Sequence, residues 1–273
     1  MTPSPATTPA TPIANTALRQ PFWLLPDRRI TMACAAALGV LFIAVLTAAL
    51  NPSGRAAQLV LDRQSPHFPY PFTIQNFEHM FFFLALGELF VRWRVGAREL
   101  SFTHMGLLPE DSQTVLQAHD LSLLRHRVAN QFDGEHGFLP SLIDLCILQF
   151  QSGRSVDQTV AVMNSSLELI EHRVDMRYGL VRYIAWLIPT MGFIGTVIGL
   201  GASLAAVPED SSKINMSTIA HTLSVGFDCT MVALAESAII VYLLHIVNEQ
   251  EEKAVNQAGT YTLRNLINRL YAG

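Results

Sequence analysis

The stretch GFIGTVIGLG, residues 192–201, places four glycines and one threonine, Thr196, inside a long apolar segment. That segment runs over residues 184–207 without a charged side chain. In water, each of these glycines would weaken a helix by about 1 kcal/mol relative to alanine. In lipid, small residues instead let two helix backbones approach closely and so drive helix association. The stretch therefore predicts a membrane-spanning helix with a face built for a close neighbour.

The composition of the chain also favours a membrane protein. Of its 273 residues, 50% are hydrophobic and 15% are charged, whereas soluble domains average about 25% charged residues. The three cysteines, Cys34, Cys146 and Cys229, lie far apart and lack the close spacing typical of metal sites. We therefore expect neither a metal nor a cofactor.

Four segments are considered as membrane spans, for which about 20 apolar residues are needed. They cover residues 30–50, 77–95, 184–207 and 217–247. The second is diluted by Glu78, His79 and Glu88, so a buried or interfacial helix is its alternative. The fourth is long enough but contains Asp228 and Glu236. These segments predict the fold class, an all-α membrane protein with four transmembrane helices.

Positive charges are distributed unevenly around the predicted spans. Segments 1–29, 92–183 and 248–273 hold fifteen of the eighteen Lys and Arg residues, and the loops 51–76 and 208–216 hold three. Because Lys and Arg are retained on the cytoplasmic side of a membrane, both termini and the middle segment are predicted to be cytoplasmic. We expect a multi-pass protein of a bacterial inner membrane, with two periplasmic loops.

The segments outside the spans differ in character. Residues 1–29 begin with a run rich in Thr, Pro and Ala and are predicted to form a disordered cytoplasmic tail. Residues 96–183 are predicted to form a helical cytoplasmic domain, and residues 248–273 a cytoplasmic amphipathic helix, because apolar residues recur at helical spacing.

Three helices are predicted within the middle segment, at 110–132, at 140–151 and from Ser155 onward. The third opens with a capping-box pattern, in which Ser155 accepts from an early backbone N–H and Gln158 reaches back. No break in the pattern appears before residue 184, so we expect this helix to continue into the third span.

Small residues also line one side of the fourth span. At positions i, i+4, i+7 and i+11 they are Gly226, Thr230, Ala233 and Ser237. Thr196 lies 11 residues before Val207, and Thr230 lies 13 residues after Ser217. Both hydroxyls are therefore expected roughly 17–20 Å from the outer end of their spans. Two hydroxyls at one depth indicate the wall of a narrow path or a socket for another helix, although the glycines alone fit plain helix packing equally well.

These two motifs resemble the signatures of a known family. GFIGTVIGL (192–200), preceded by Pro189, resembles the penultimate-span signature of the MotA/TolQ/ExbB proton-channel family. GFDCTMVAL (226–234) is similar to the last-span signature, with Thr230 on the family threonine and Ala233 replacing a glycine. The motifs cover about 184–247, and the first two spans agree in arrangement only. Four spans with a cytoplasmic N-terminus resemble the MotA-type or ZorA-type layout.

The resemblance implies a cyclic oligomer, a pentamer around two copies of a MotB/TolR/ExbD-like subunit. That partner has a single span whose intramembrane Asp takes up and releases H⁺ or Na⁺, and ion flow drives rotation. Thr196 and Thr230 would line the ion path, and Pro189 would bend the span. Helix packing is assigned to the small residues Gly192, Gly195, Gly199, Gly226, Ala233 and Ser237. Such a protein is an energy transducer and not an enzyme.

The acidic residues of the fourth span depart from the family pattern. TolQ and ExbB carry a glutamate where this chain has Val225. Asp228 needs a partner or a proton because an ionised Asp at a helix centre costs about 2.5–3.5 kcal/mol. His221, seven residues earlier on the same face, suggests either a proton relay or a structural pair joining neighbouring subunits, and we favour the pair. Glu236 is a candidate ion exit.

Two other functions remain open. The first alternative is a passive oligomeric membrane scaffold. The second is a substrate transporter with a site at His221 and Asp228. A transporter would predict an internal repeat, and none is visible in the sequence. Motifs of nucleotide, hydrolase and metalloprotease sites are missing, and no basic patch favours nucleic acid. The process that a motor of this kind would drive, and the choice of H⁺ or Na⁺, are not predicted.

Overall fold

The computed structural model describes residues 27–63, 68–111, 115–117, 119–129, 131–133, 136–207 and 216–271. Within them the chain forms α1 (Arg28–Ala49), α2 (Arg55–Leu61), α3 (Ile74–Phe102), α4 (Asp120–Val128), α5 (Phe138–Gly153), α6 (Val156–Arg177), α7 (Gly179–Ala205), α8 (Met216–Asn265) and a 3-10 helix (Ile267–Arg269). Nearly all of the predicted tail and of the loop 208–216 lies outside the described residues.

Three stretches of helix are long and apolar enough to cross a membrane. They are Arg28–Ala49, Val156–Ala205 and Ile219–Arg269. An all-α, membrane-type chain is thus confirmed. The predicted second span lies within α3, whose 29 residues are long enough to cross, but α3 is not among the three because its composition is too polar. The second span, at residues 77–95, and with it the total of four spans, therefore stays a prediction.

Most polar residues of α3 are buried against its neighbours. A β-carbon on Gly87 would lie 2.5 Å from the Ala35 Cβ, so α1 and α3 approach closely. Beside this contact the fully buried Glu88 carboxylate accepts from Arg28 Nε at 2.8 Å and from Arg92 Nη2 at 2.9 Å. The Glu88 charge, which lowers the hydropathy of α3, is thus neutralised inside the protein.

Helix α8 is much longer than a membrane span. Its 50 residues rise about 75 Å, more than twice the thickness of the hydrocarbon core. The helix predicted separately at 248–273 is therefore mostly the continuation of the fourth span. Helices α6 and α7 are likewise interrupted only at Tyr178, whose hydroxyl donates to Glu251 Oε2 of α8 at 2.6 Å. This bond ties the two long helical stretches together.

The helices α4, α5 and α6 form a domain with the C-terminal half of α8. Its largest fully buried side chains include Phe150 and Tyr178. The helix predicted at 110–132 is shortened to α4 because Leu116 is extended and forms a parallel bridge with Leu270. Of the predicted capping box one half is present, since Ser155 Oγ accepts from the Gln158 N–H at 3.3 Å.

The helical bundle has two different ends. The domain end carries α4 to α6, and the loop end carries α2 and the connection between α1 and α3. Glu99, near the end of α3, links the bundle to the domain. Its buried carboxylate accepts from the N–H groups of Gly137 and Phe138, both at 2.7 Å, and so caps the start of α5.

Candidate functional site: the interface of α7 and α8

The interface between α7 and α8 is built on glycines, as the predicted packing residues require. A β-carbon added at Gly199 would lie 2.9 Å from the Gly226 Cα. One added at Gly192 would lie 2.6 Å from the Ala233 Cβ, and Gly195 faces the Cys229 side chain in the same way. Side chains larger than hydrogen therefore do not fit without moving the helices apart.

Thr196 and Thr230 meet in the middle of this interface, with their hydroxyl oxygens in hydrogen-bond contact. Thr196 Oγ1 also donates to the Gly226 carbonyl at 3.0 Å, and Thr230 Oγ1 to the Gly192 carbonyl at 2.7 Å. Each helix thus contributes a Gly-x-x-x-Thr motif, and each hydroxyl reaches the glycine of the other helix. The two antiparallel helices are related by a local two-fold arrangement.

The threonine pair retains capacity for further hydrogen bonds. A hydroxyl carries one hydrogen and two lone pairs. With both hydrogens directed at glycine carbonyls, or one shared between the hydroxyls, lone pairs remain to accept a proton donor or to contact a cation. The pair can therefore accept a hydrogen bond or contact a cation, and it donates to a further group when a hydroxyl hydrogen turns away from its glycine carbonyl.

The pair lies at a surface that no other part of the described chain covers. Gly195 and Cys229 point to the side where α3 packs, since Gly195 faces Ile74 and Cys229 contacts Glu78. The threonines lie on the other side and are partly exposed. We call this surface the threonine face. It consists of Thr196 and Thr230 framed by Phe193 (64% exposed), Leu200 (48%), Phe227 (58%) and Leu234 (56%).

A second hydroxyl contact supplies a hydrogen bond that is lost at Pro189, which lies inside α7. Because proline has no N–H, the carbonyl of Ala185, four residues earlier, loses its helical donor. Ser237 Oγ of α8 donates to that carbonyl at 2.9 Å. Ser237 therefore satisfies a carbonyl that proline leaves free, as membrane helices require. The bend assigned to Pro189 stays a prediction.

A third contact lies nearer the loop end. Ser203 Oγ is 2.7 Å from Thr222 Oγ1 and donates to the Gly199 carbonyl at 2.8 Å. Thr222 was not predicted, although it lies four residues before Gly226 and continues the same stripe. Hydroxyl contacts thus occur at three levels of one interface.

Within the described chain Asp228 has a partner other than His221. Buried Asp228 instead accepts from Arg55 Nη2 of α2 at 2.7 Å. Seven residues of helix place His221 about 10 Å along the axis from Asp228, too far for contact. Arg55 lies in the predicted periplasmic loop. The sequence did not predict its contact with Asp228, because the contact depends on how α2 docks onto α8. The relay, the pairing between subunits and the transporter site stay predictions, and within one chain Asp228 is paired with Arg55 instead.

Glu236 is buried and contacts α3, and its role as an ion exit stays a prediction. Its Oε1 lies 2.5 Å from His79 Nδ1, and the neighbouring Glu78 accepts from the Cys229 thiol at 3.2 Å. The predictions missed Glu78 and His79 as site residues, because they were counted only as polar dilution of a span. Ionisable residues in the middle of an apolar helix were the signal that could have identified them.

The described helices and the interface of glycines and hydroxyls define an all-helical membrane protein with a packed, hydroxyl-lined helix pair. Residues 133–259, slightly less than half of the chain, match the model of the MotA/TolQ/ExbB proton channel family, in agreement with the resemblance of the two motifs. The matched region includes both Gly-x-x-x-Thr motifs, whereas α1, α2 and α3 lie before it. No curated protein and no solved structure matches the chain significantly.

Proposed function

We propose that the chain is the ion-conducting ring subunit of an ion-driven motor in a bacterial inner membrane. Five copies surround two copies of a MotB/TolR/ExbD-like subunit, whose single span carries an intramembrane aspartate. Proton flow through the assembly is converted to mechanical work, and no covalent bond of a substrate is made or broken. The match of residues 133–259 to a proton channel family supports the coarse function.

The threonine face is the observation that carries this proposal. It combines an apolar frame, which suits a helix in lipid or in a ring of copies, with two hydroxyls at its centre. Exposed apolar surfaces that contain a few polar groups are typical of interaction sites. A partner helix seated on this face would bring its carboxyl group to Thr196 and Thr230.

The chemistry of the pair suits a carboxyl group that changes charge. A protonated carboxyl donates to a hydroxyl oxygen, and an ionised one accepts from a hydroxyl hydrogen that turns toward it from a glycine carbonyl. Because an ionised Asp at the bilayer centre costs about 2.5–3.5 kcal/mol, such hydrogen bonds would lower the cost of releasing the ion there. The threonines would thus stabilise the charged state of the partner at one depth.

The orientation belongs to the same proposal. We assign the domain end to the cytoplasm and the loop end to the periplasm, because Lys and Arg are concentrated at the domain end. The partner's periplasmic part would then lie on the side of α2.

Replacement of the hydroxyls tests the proposal. With the partner co-reconstituted in liposomes, T196A and T230A should lower partner-dependent proton flux about tenfold or more, since one lost hydrogen bond of about 1.4 kcal/mol changes a rate tenfold. T196S and T230S keep the hydroxyls and should retain flux. Flux is measured with a pH-sensitive dye inside the liposomes, and a sodium gradient at constant pH should not replace the proton gradient.

The passive scaffold is the second candidate, and one observation favours it. Both hydroxyls already have acceptors within the chain, so they suit plain helix packing as well. A scaffold predicts that the alanine variants weaken assembly with the partner and that wild-type membranes show no partner-dependent flux. Intact assembly with lost flux is the result expected of the motor subunit.

A further inference from the structure

A second polar cluster lies on the other side of α8 from the threonine face, where α2, α3 and α8 meet. It consists of Glu78 and His79 of α3 and Glu236 of α8, and we call it the carboxyl cluster. These residues are 0%, 3% and 8% exposed. Polar groups buried at this depth are normally hydrogen-bonded or paired, but two carboxylate oxygens here, Glu78 Oε2 and Glu236 Oε2, have no partner in the described chain.

The contacts of His79 require a proton between it and Glu236. Its Nε2 lies 2.9 Å from the Val60 carbonyl of α2. A carbonyl only accepts hydrogen bonds, so Nε2 carries a hydrogen and donates it. Nδ1 then either accepts from a protonated Glu236 or donates, as an imidazolium, to an ionised one. In both cases one proton lies between Nδ1 and Oε1, and the pair has no net charge.

Glu78 has no counter-charge. Its Oε1 accepts only from the Cys229 thiol, a weak donor, and no Lys or Arg of the described residues forms an ion pair with it. Another carboxyl group, that of Glu236, acts on Glu78 electrostatically. A buried carboxylate without a cation costs several kcal/mol. The uncharged acid is the form that this environment favours.

Glu88 provides the internal contrast. It lies ten residues further along α3 and is also 0% exposed. Two arginines, Arg28 and Arg92, bind its oxygens, so its ionised form is compensated. Two buried glutamates of one helix thus differ in their surroundings: Glu88 contacts two arginines, and Glu78 contacts none among the described residues.

The other charged groups around the cluster do not neutralise it. On α2, Arg55 is engaged by Asp228 of α8, and Asp62 adds negative charge near Cys229. Helix α1 contributes the ring of Phe42, which lies edge-on to His79 at 5.5 Å between ring centroids. Helix α7 presents the backbone at Gly195.

We propose that Glu78, His79 and Glu236 form a proton-binding site inside the subunit, separate from the threonine pair. Glu78 carries one proton, and a second is shared between His79 and Glu236. The proposal stands on these contacts alone and does not depend on the partner or on motor activity.

Infrared spectroscopy of the full-length chain in lipid nanodiscs, without any partner, tests the site. A protonated carboxyl group gives a C=O stretching band that shifts in D₂O. The wild-type-minus-E78Q difference spectrum at neutral pH should contain this band, and the wild-type-minus-E88Q spectrum should lack it. A wild-type spectrum without the band, or an E78Q spectrum that retains it in full, would overturn the proposal.

A milder variant keeps Glu78 in place in case E78Q does not fold. C229S replaces the weak thiol donor by a hydroxyl and should shift the frequency of the Glu78 band without removing it. An unshifted band in folded C229S would show that Glu78 is not its source. Loss of the band on addition of NaCl at constant pH, but not of KCl, would identify a sodium site instead and would contradict the proton assignment.

Discussion

At the scale of the residue, the α7–α8 interface matches free backbone carbonyls with hydroxyl groups. The clearest case is Ser237, whose hydroxyl reaches the Ala185 carbonyl that Pro189 leaves without a donor. In lipid no water is present to donate a hydrogen bond to this carbonyl, so a hydroxyl of a neighbouring helix donates it. A proline in one helix is thus accommodated by a serine 48 residues later in the sequence.

A double-mutant cycle tests this relation. S237A should lower the free energy of unfolding by about 1 kcal/mol, because the Ala185 carbonyl is left unpaired. P189A supplies a helical N–H to the same carbonyl, so S237A should cost much less in that background. Denaturant unfolding in detergent measures all four proteins. Equal costs of S237A in both backgrounds would contradict the relation.

At the scale of the element, glycine sets how closely α7 and α8 approach. Gly199 and Gly201 lie on the same helix, but a β-carbon on Gly199 would meet Gly226 backbone atoms at 2.9–3.0 Å, whereas one on Gly201 would meet nothing within 4 Å. The two positions therefore form a matched pair in which only packing differs.

G199A should destabilise the protein by about 1–3 kcal/mol, because backbone atoms cannot move aside as a flexible side chain would. G201A should leave stability unchanged or raise it by up to about 1 kcal/mol, since alanine is the better helix former. Thermal unfolding in the same detergent provides the comparison. Similar effects of the two substitutions would show that the close approach at Gly199 does not matter for stability.

The junction of α3 with α5 depends on Glu99, beyond the predicted span 77–95. Burial raises the pKa of Glu99 to about 7 from 4.5, although the N–H groups of Gly137 and Phe138 oppose the rise. A carboxyl whose pKa is raised by folding stabilises the folded state most below pH 4.5, and this contribution is lost as the pH rises to 7. The junction is therefore a pH-sensitive element of the fold.

The difference in unfolding free energy between wild type and E99Q measures this effect, because other titrating groups cancel. Relative to E99Q, the wild type should lose about 3 kcal/mol between pH 4.5 and pH 7. Parallel stability curves for the two proteins over this range would mean that Glu99 does not titrate there.

At the scale of the whole molecule, exposed aromatic residues lie near the predicted limits of the long apolar helices. Tyr183 and Trp186 on α7 and Tyr242 on α8 are 55%, 62% and 67% exposed. Tyr and Trp are enriched at membrane–water interfaces. They lie close to the predicted limits of the two spans at the domain end, at residues 184 and 247, where the helices continue into the helical domain.

Cysteine labelling tests the orientation of the molecule. Ser53, near α2, and Leu123 on α4 are both exposed and lie at opposite ends. In a C34S background, which removes the exposed native thiol, a membrane-impermeant maleimide should label S53C in spheroplasts. L123C should react only after lysis. The reverse pattern would place the domain end in the periplasm and would contradict the assignment from positive charge.

The sequence by itself determined the membrane class, the apolar helices of α1, α7 and α8, and the two Gly-x-x-x-Thr motifs. Apolar length and i, i+4 spacing are local properties, so they are readable without the fold. Only the tertiary structure decided the partners of the buried ionisable groups. Arg55 and Asp228 are 173 positions apart, His79 and Glu236 157, and Glu78 and Cys229 151. Such pairs depend on how α2 and α3 dock onto α8, and helical periodicity carries no information about that docking.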